Sequence, residues 1–119
     1  MRVRRLTSPT DFERVRAQGQ AHATPLFVAI VARGATGPAR IGVAAGRKVG
    51  GAVERNRAKR LLREGMRSLY ASIDNGWDVL LLARGAILDV KSTEVAPRLE
   101  QALRRLRVMG AAAAKGPDA

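Results

Sequence analysis

The sequence contains no cysteine and a single histidine, His22. Disulfides and thiolate metal sites are therefore excluded, as is any site built from several histidines. His22 by itself reads as a surface or strand-entry residue. Aromatic side chains are scarce too, with one Trp, one Tyr and two Phe in 119 residues. Acids number ten against 22 Lys and Arg, which gives a net charge of +12 and a pI near 11.7. No apolar run approaches the ~20 residues of a membrane span. No apolar stretch follows Met1-Arg2-Val3-Arg4-Arg5, so no signal peptide is expected and the chain is assigned to the cytoplasm. What remains is one small domain with a modest core and a strong positive field.

That charge is concentrated. From Gly46 to Arg67 the chain reads GRKVGGAVERNRAKRLLREGMR, with Arg47, Lys48, Arg55, Arg57, Lys59, Arg60, Arg63 and Arg67 opposed only by Glu54 and Glu64. At ~100° per residue, Asn56, Lys59, Arg60, Arg63 and Arg67 fall within an arc of roughly 100°. Ala58, Leu61, Leu62, Gly65 and Leu69 fall opposite, with Met66 at the border. One face can pack on a core while the other carries a positive stripe containing no acid. Like charges at i,i+4 repel by a few tenths of a kcal/mol per pair, so such a stripe calls for an anionic partner. Arginine dominates, which suits bidentate contact with phosphate oxygens. Asn56 can both donate and accept. Nucleic acid is the leading partner class. An anionic membrane is the rival, but no Trp or Phe lies on the apolar side of the helix to enter a headgroup layer.

Along the rest of the chain, residues 1–7 read as a basic arm, mobile until a partner orders it. Ser8-Pro9 reads as N-cap and first helical residue, with Asp11 in the first turn. Phe12 and Val15 give the helix an inward stripe, and Gly19 stops it. Strands are predicted over 26–31, 40–45 and 79–83, the last continuously apolar and so buried on both faces. Gly42 and Gly46 suggest close backbone approach or a bulge. The basic helix is predicted over about 52–70. The stretch 86–90 is ambiguous between turn and helix. Thr93 is the expected cap of a last helix with Val95, Leu99, Ala102, Leu103 and Leu106 on one face, and Pro97 is tolerated near its first turn. There are no repeats and no linker. The domain is taken as residues 1–109, an α/β sandwich of a small sheet against helices, and the Ala-rich segment 110–119 as a disordered tail.

An active site within the chain is not expected. Hydrolysis of a phosphodiester needs a metal-binding carboxylate cluster or a histidine acid–base pair. The acids are scattered in sequence, and the glycines at 42, 46, 50 and 51 lack phosphate-loop spacing. The residues describe a binding protein. A small basic ribosomal or ribosome-assembly protein would share this charge and size. A nuclease acting alone is disfavoured.

The segment Arg40-Ile41-Gly42-Val43, Arg47-Lys48-Val49-Gly50, Ala52-Val53, Arg55-Asn56-Arg57, Lys59-Arg60, Arg63-Glu64 resembles, contiguously, the signature of the protein subunit of bacterial ribonuclease P. Asp11-Phe12, Gly19, Phe27-Val28 and the strand ending in Ala83-Arg84 agree with it. The resemblance spans approximately residues 6–108. It implies an α+β, two-layer α/β sandwich in the order α-β-β-β-α-β-α, with a left-handed βαβ crossover through the basic helix.

In function, the resemblance implies the accessory subunit of an endoribonuclease that removes the 5′ leader of precursor tRNA. The catalyst is then the RNA subunit, and Mg²⁺ is held by that RNA and the substrate. The expected partners are the ribonuclease P RNA and the leader, without membrane or small-molecule substrate. Its RNA-binding residues are expected to be Arg47, Lys48, Arg55, Asn56, Arg57, Lys59, Arg60, Arg63 and Arg67, and Phe12, Arg16, Phe27 and Ile30 are expected to line a leader cleft. Arg16 and Ile30 stand where the family usually has aromatics, and Ala44 and Gly46 where it commonly has serines. The cleft is therefore expected to rely less on stacking and more on charge.

Overall fold

Local chemistry starts the first helix where the sequence places it. The Ser8 hydroxyl accepts a hydrogen bond from the Asp11 N–H at 3.4 Å, and Pro9 opens helix α1, Pro9–Gln18. The computed structural model describes residues 2–109, and the segment read as a disordered tail lies outside them. Around α1 the elements are β1 Arg4–Arg5, β2 Gln20–Ala23, β3 Phe27–Arg33, β4 Arg40–Ala45, α2 Ala52–Arg67, β5 Trp77–Ala83 and α3 Val95–Arg105. Short 3-10 turns fill 47–49, 70–72, 85–89 and 92–94. The third of these, a short 3-10 helix over Gly85–Asp89, takes up most of the ambiguous stretch at 86–90.

The strands form one sheet in the order β1-β4-β5-β3-β2. β4 pairs in parallel with both β1 and β5, while β3 runs antiparallel to β5 and to β2. Because β4 and β5 are parallel neighbours, α2 is the crossover that joins them. The period-2 alternation divides the sheet's side chains between its two faces. Phe27, Ala29, Val31, Val79 and Leu81 pack with Ala58, Leu62, Leu99 and Leu103 of α2 and α3. Ile30, Ala32 and Leu80 pack with Val15 and Leu6, and half-buried Phe12, Val28 and Leu82 lie against them. The main helical layer is thus the α2–α3 pair, and α1 covers part of the opposite face.

Two glycines let the layers close. A Cβ at Gly42 would stand 2.9 Å from the Phe12 Cε1 and 3.0 Å from the Leu6 carbonyl. One at Gly65 would stand 2.7 Å from the Leu99 Cδ1. Gly42 therefore admits α1 and Gly65 admits α3. No such crowding surrounds Gly46, where an added Cβ would meet nothing within 4 Å, so the close approach expected there is corrected.

An ion cluster fastens α1 to the sheet. Asp78, 1% exposed, receives Nε of Arg40 at 2.8 Å, Nη2 of Arg40 at 2.7 Å and Nη2 of Arg14. Asp11 joins through Arg14 at 3.3 Å and Arg40 at 3.5 Å. Burial alone would raise the Asp78 pKa, but the hydrogen bonds and charges of the two arginines outweigh it and hold the carboxyl below its ordinary value.

Two further expectations need correction. The amino-terminal arm is not loose: Arg4 and Arg5 pair with Arg40 and Ile41, and Leu6 is 2% exposed. Hydrophobic burial of Leu6 and a free backbone edge on β4 are sufficient to dock it. Thr93 does not cap the last helix, because it lies within a preceding 3-10 turn and Glu94 occupies the N-cap position without a side-chain bond.

Candidate nucleic-acid interface

Three features of the backbone aim the positive charge. Gly46 and Gly50 bracket a 3-10 turn whose Val49 is buried while Arg47 and Lys48 stand exposed. Gly51 then starts α2, with Glu54 in its first turn where the helix dipole favours an acid. Ala58, Leu62, Gly65 and Met66 are buried against the core, which fixes the helix's rotation. The outward side is consequently the stripe: Asn56, Arg57, Arg60, Arg63 and Arg67 are not buried, and Lys59 stands beside them.

Arg55 behaves differently. Its Nη1 donates to the Gly50 carbonyl at 3.2 Å, closing the turn that precedes the helix. Its charge lies beside the stripe while its donors serve the backbone.

Among the described residues, the ion pairs use Arg14, Arg40 and Arg104 and no residue of the stripe. The stripe is an array of cations without carboxylate partners. Partial desolvation, and then the positive charge of Arg5, lower the Arg63 pKa from its usual value, and the group stays charged at neutral pH. Val53, 77% exposed, lies one turn before Asn56 and Arg57 on the same side. It is the one large apolar side chain exposed among the described residues.

The expected cleft on the α1 face is only partly assembled as the sequence suggested. Phe12 lies half-buried over Gly42 and Arg16 is exposed in the last turn of α1. Ile30 is on this face, yet it is 7% exposed beneath α1. Phe27 is corrected outright. Strand alternation turns it into the α2–α3 core, where it is 0% exposed. Its neighbour Val28 takes the open side with Leu82. Both line a hollow of about 470 Å³ with Gly46, Arg47, Lys48 and Arg84. Arg47 and Lys48 thus border this hollow, whose apolar wall is Val28 and Leu82 rather than the residues expected from the sequence. Arg84, exposed directly after β5, also lines this hollow and was not among the residues expected from the sequence; a cation following the apolar run 79–83 is the signal that could have found it.

Asp11 and Asp78, far apart in sequence, do converge in space. Arg14 and Arg40 occupy them, so they do not form an open carboxylate pair for a metal.

Comparison with known proteins follows the same lines. The ribonuclease P family model matches residues 1–107. The ribonuclease P protein component of Symbiobacterium thermophilum is 42% identical over 102 residues, covering 85% of this chain and 89% of that one. The component from Herpetosiphon aurantiacus is 40% identical over 105 residues, covering 88% and 82%. Among solved structures, the RNase P protein of Staphylococcus aureus superposes with a TM-score of 0.77 at 26% identity, covering 91% of this chain and 99% of that one. That of Thermotoga maritima gives 0.75 at 28% identity, covering 85% and 96%.

Proposed function

Because this chain belongs to the ribonuclease P protein family, we propose that it is the RNA-binding accessory subunit of the ribonucleoprotein that trims precursor tRNA at its 5′ end. The observation that carries this reading is the α2 stripe, whose cations have no carboxylate partners among the described residues. Arg57, Lys59, Arg60, Arg63 and Arg67, with Arg47 and Lys48 at the helix start, grip phosphates of the ribonuclease P RNA. Asn56 orients that contact, and Arg55 shapes the turn that presents it.

The 5′ leader lies on the α1 face. It runs past Phe12 and Arg16 into the hollow walled by Val28, Leu82 and Arg84, where Arg47 and Lys48 receive its phosphates. A base stacked on Phe12 is worth about 1–3 kcal/mol. With so few rings available, phosphate contacts carry the remainder. About six phosphate contacts to irregular RNA give a log–log salt slope of about −4 to −5.

Mg²⁺ is held by the RNA subunit and the substrate, where it activates and stabilises oxygens at the scissile phosphate. This chain's part is differential binding. It lays positive charge along two polyanions, which lowers the Mg²⁺ they need. It also favours precursor over product, since only the precursor has a leader to hold.

The test is cleavage of a 5′-leader precursor tRNA at low Mg²⁺ by a bacterial ribonuclease P RNA, with and without the protein. Protein-dependent cleavage is expected, with none from the protein alone. Salt-sensitive RNA binding without stimulation would sink this reading in favour of a ribosomal-type protein.

A further inference from the structure

A groove of about 1110 Å³ runs between β1 and the C-terminal half of α2. One wall carries Arg2, Arg4 and Arg5, the other Arg60, Arg63 and Arg67, and Glu64 is the single acid lining it. None of these arginines forms an ion pair among the described residues.

The β1 wall is held by the protein itself. The Arg4 N–H donates to the Tyr70 hydroxyl at 3.2 Å, and that hydroxyl donates to the Ala39 carbonyl at 2.6 Å. The Arg4 Nη1 donates to the Pro38 carbonyl at 2.8 Å, and the Leu6 N–H to the Ile41 carbonyl at 2.9 Å. Arg4 is thus committed to anchoring, which leaves Arg2 and Arg5 exposed beside α2. Two like-charged walls held together repel, and an anionic occupant relieves the repulsion.

We propose that this groove seats a sugar-phosphate backbone of the folded ribonuclease P RNA, with Arg2 and Arg5 closing on it from the side opposite Arg60, Arg63 and Arg67. The inference rests on the reading that the chain binds this RNA, and it makes the amino-terminal strand a binding element. The lining chooses backbone over bases. No aromatic side chain borders the groove, and without a ring to stack on, unpaired bases find no platform. Guanidinium groups on two sides match phosphate oxygens and read no sequence.

Salt-dependent binding of the full chain to ribonuclease P RNA tests this, comparing wild type with the Arg2→Ala/Arg5→Ala double variant. Arg4 and Leu6, which dock the strand, are left intact. The double variant is expected to bind more weakly by roughly tenfold for each arginine removed. Its salt slope should be smaller in magnitude by about 1.4–1.8, the worth of two phosphates. The loss should be the same for leadered and leaderless substrates. Arg2→Lys/Arg5→Lys should keep the wild-type slope, which separates lost charge from lost folding. An unchanged slope in the Ala variant, or a loss confined to leadered precursor, overturns the groove. If wild type itself neither binds nor stimulates the RNA, the wider functional reading falls instead.

Discussion

Arg14 and Arg40 turn inward onto Asp78, while Arg57, Arg60, Arg63 and Arg67 turn outward and meet no carboxylate among the described residues. The same residue type serves opposite ends in the two regions. In the first, a carboxylate that is 1% exposed would be costly to bury alone, and two guanidiniums make it tolerable. That pair serves to attach α1 to the sheet. In the second, repulsion along a helix face is left standing, with no carboxylate among the described residues to relieve it. The positive charge is therefore sorted: paired with an acid where the fold needs a joint, unpaired along the outward face of α2.

The largest effect should come from breaking the inward set. Asp78→Asn leaves two guanidiniums facing each other across a neutral amide. A loss of about 3 kcal/mol is expected, the lower end for a disrupted buried ion pair, because both arginines are about a quarter exposed. Thermal melting should fall by more than about ten degrees. The salt slope of RNA binding, measured where the variant is still folded, should not change. A variant that melts like wild type would remove the distinction between the two regions.

Acid probes the same joint without mutation. The folded pKa of Asp78 is depressed, so its contribution to stability is complete above the unfolded carboxylate value of about 3.9 and is lost as pH falls through the folded value. Melting temperature should thus drop below about pH 4, and Asp78→Asn should flatten that drop. An equally steep drop in the Asn variant would point to other carboxylates.

Breaking the outward set should do the reverse. Arg60→Glu/Arg63→Glu should weaken RNA binding by about a hundredfold, roughly tenfold for each charge-assisted hydrogen bond to phosphate that is removed. Stability should stay level or rise by a few tenths of a kcal/mol as i,i+4 repulsion is relieved. A fall in melting temperature together with binding would show these side chains to be part of the scaffold.

How much of this was legible depended on the range of the interaction. The stripe was readable because a helical period converts spacing directly into a face, and Ala58, Leu62 and Leu103 are buried as their positions required. The strand at 40–45 and the cap at Ser8 were readable because propensity and capping are local. The Asp78 joint was not: it links residues 64 and 38 positions apart, and a lone acid inside an apolar run names no partner. Phe27 was misplaced because its strand is apolar on both faces, so alternation gave no inside and no outside. The docking of Arg4 and Arg5 depended on a free edge of β4 that exists only once the sheet has formed.

The smallest expected effect sharpens the comparison most, because it removes apolar surface and leaves every charge in place. Val53 is 77% exposed on the stripe side of α2, where an isolated protein gains nothing from a β-branched residue. Val53→Ala should leave melting unchanged or raise it slightly, since Ala is the better helix former by about 0.5 kcal/mol. If the side chain packs on a ribose or base edge when RNA lies along the stripe, the substitution forfeits part of the burial of two methyl groups. Affinity should then fall by about threefold. The salt slope should stay at its wild-type value, because the phosphates keep all their cations. A changed slope would mean that the substitution shifts the helix, and unaltered affinity would confine RNA to the arginines and leave Val53 facing solvent.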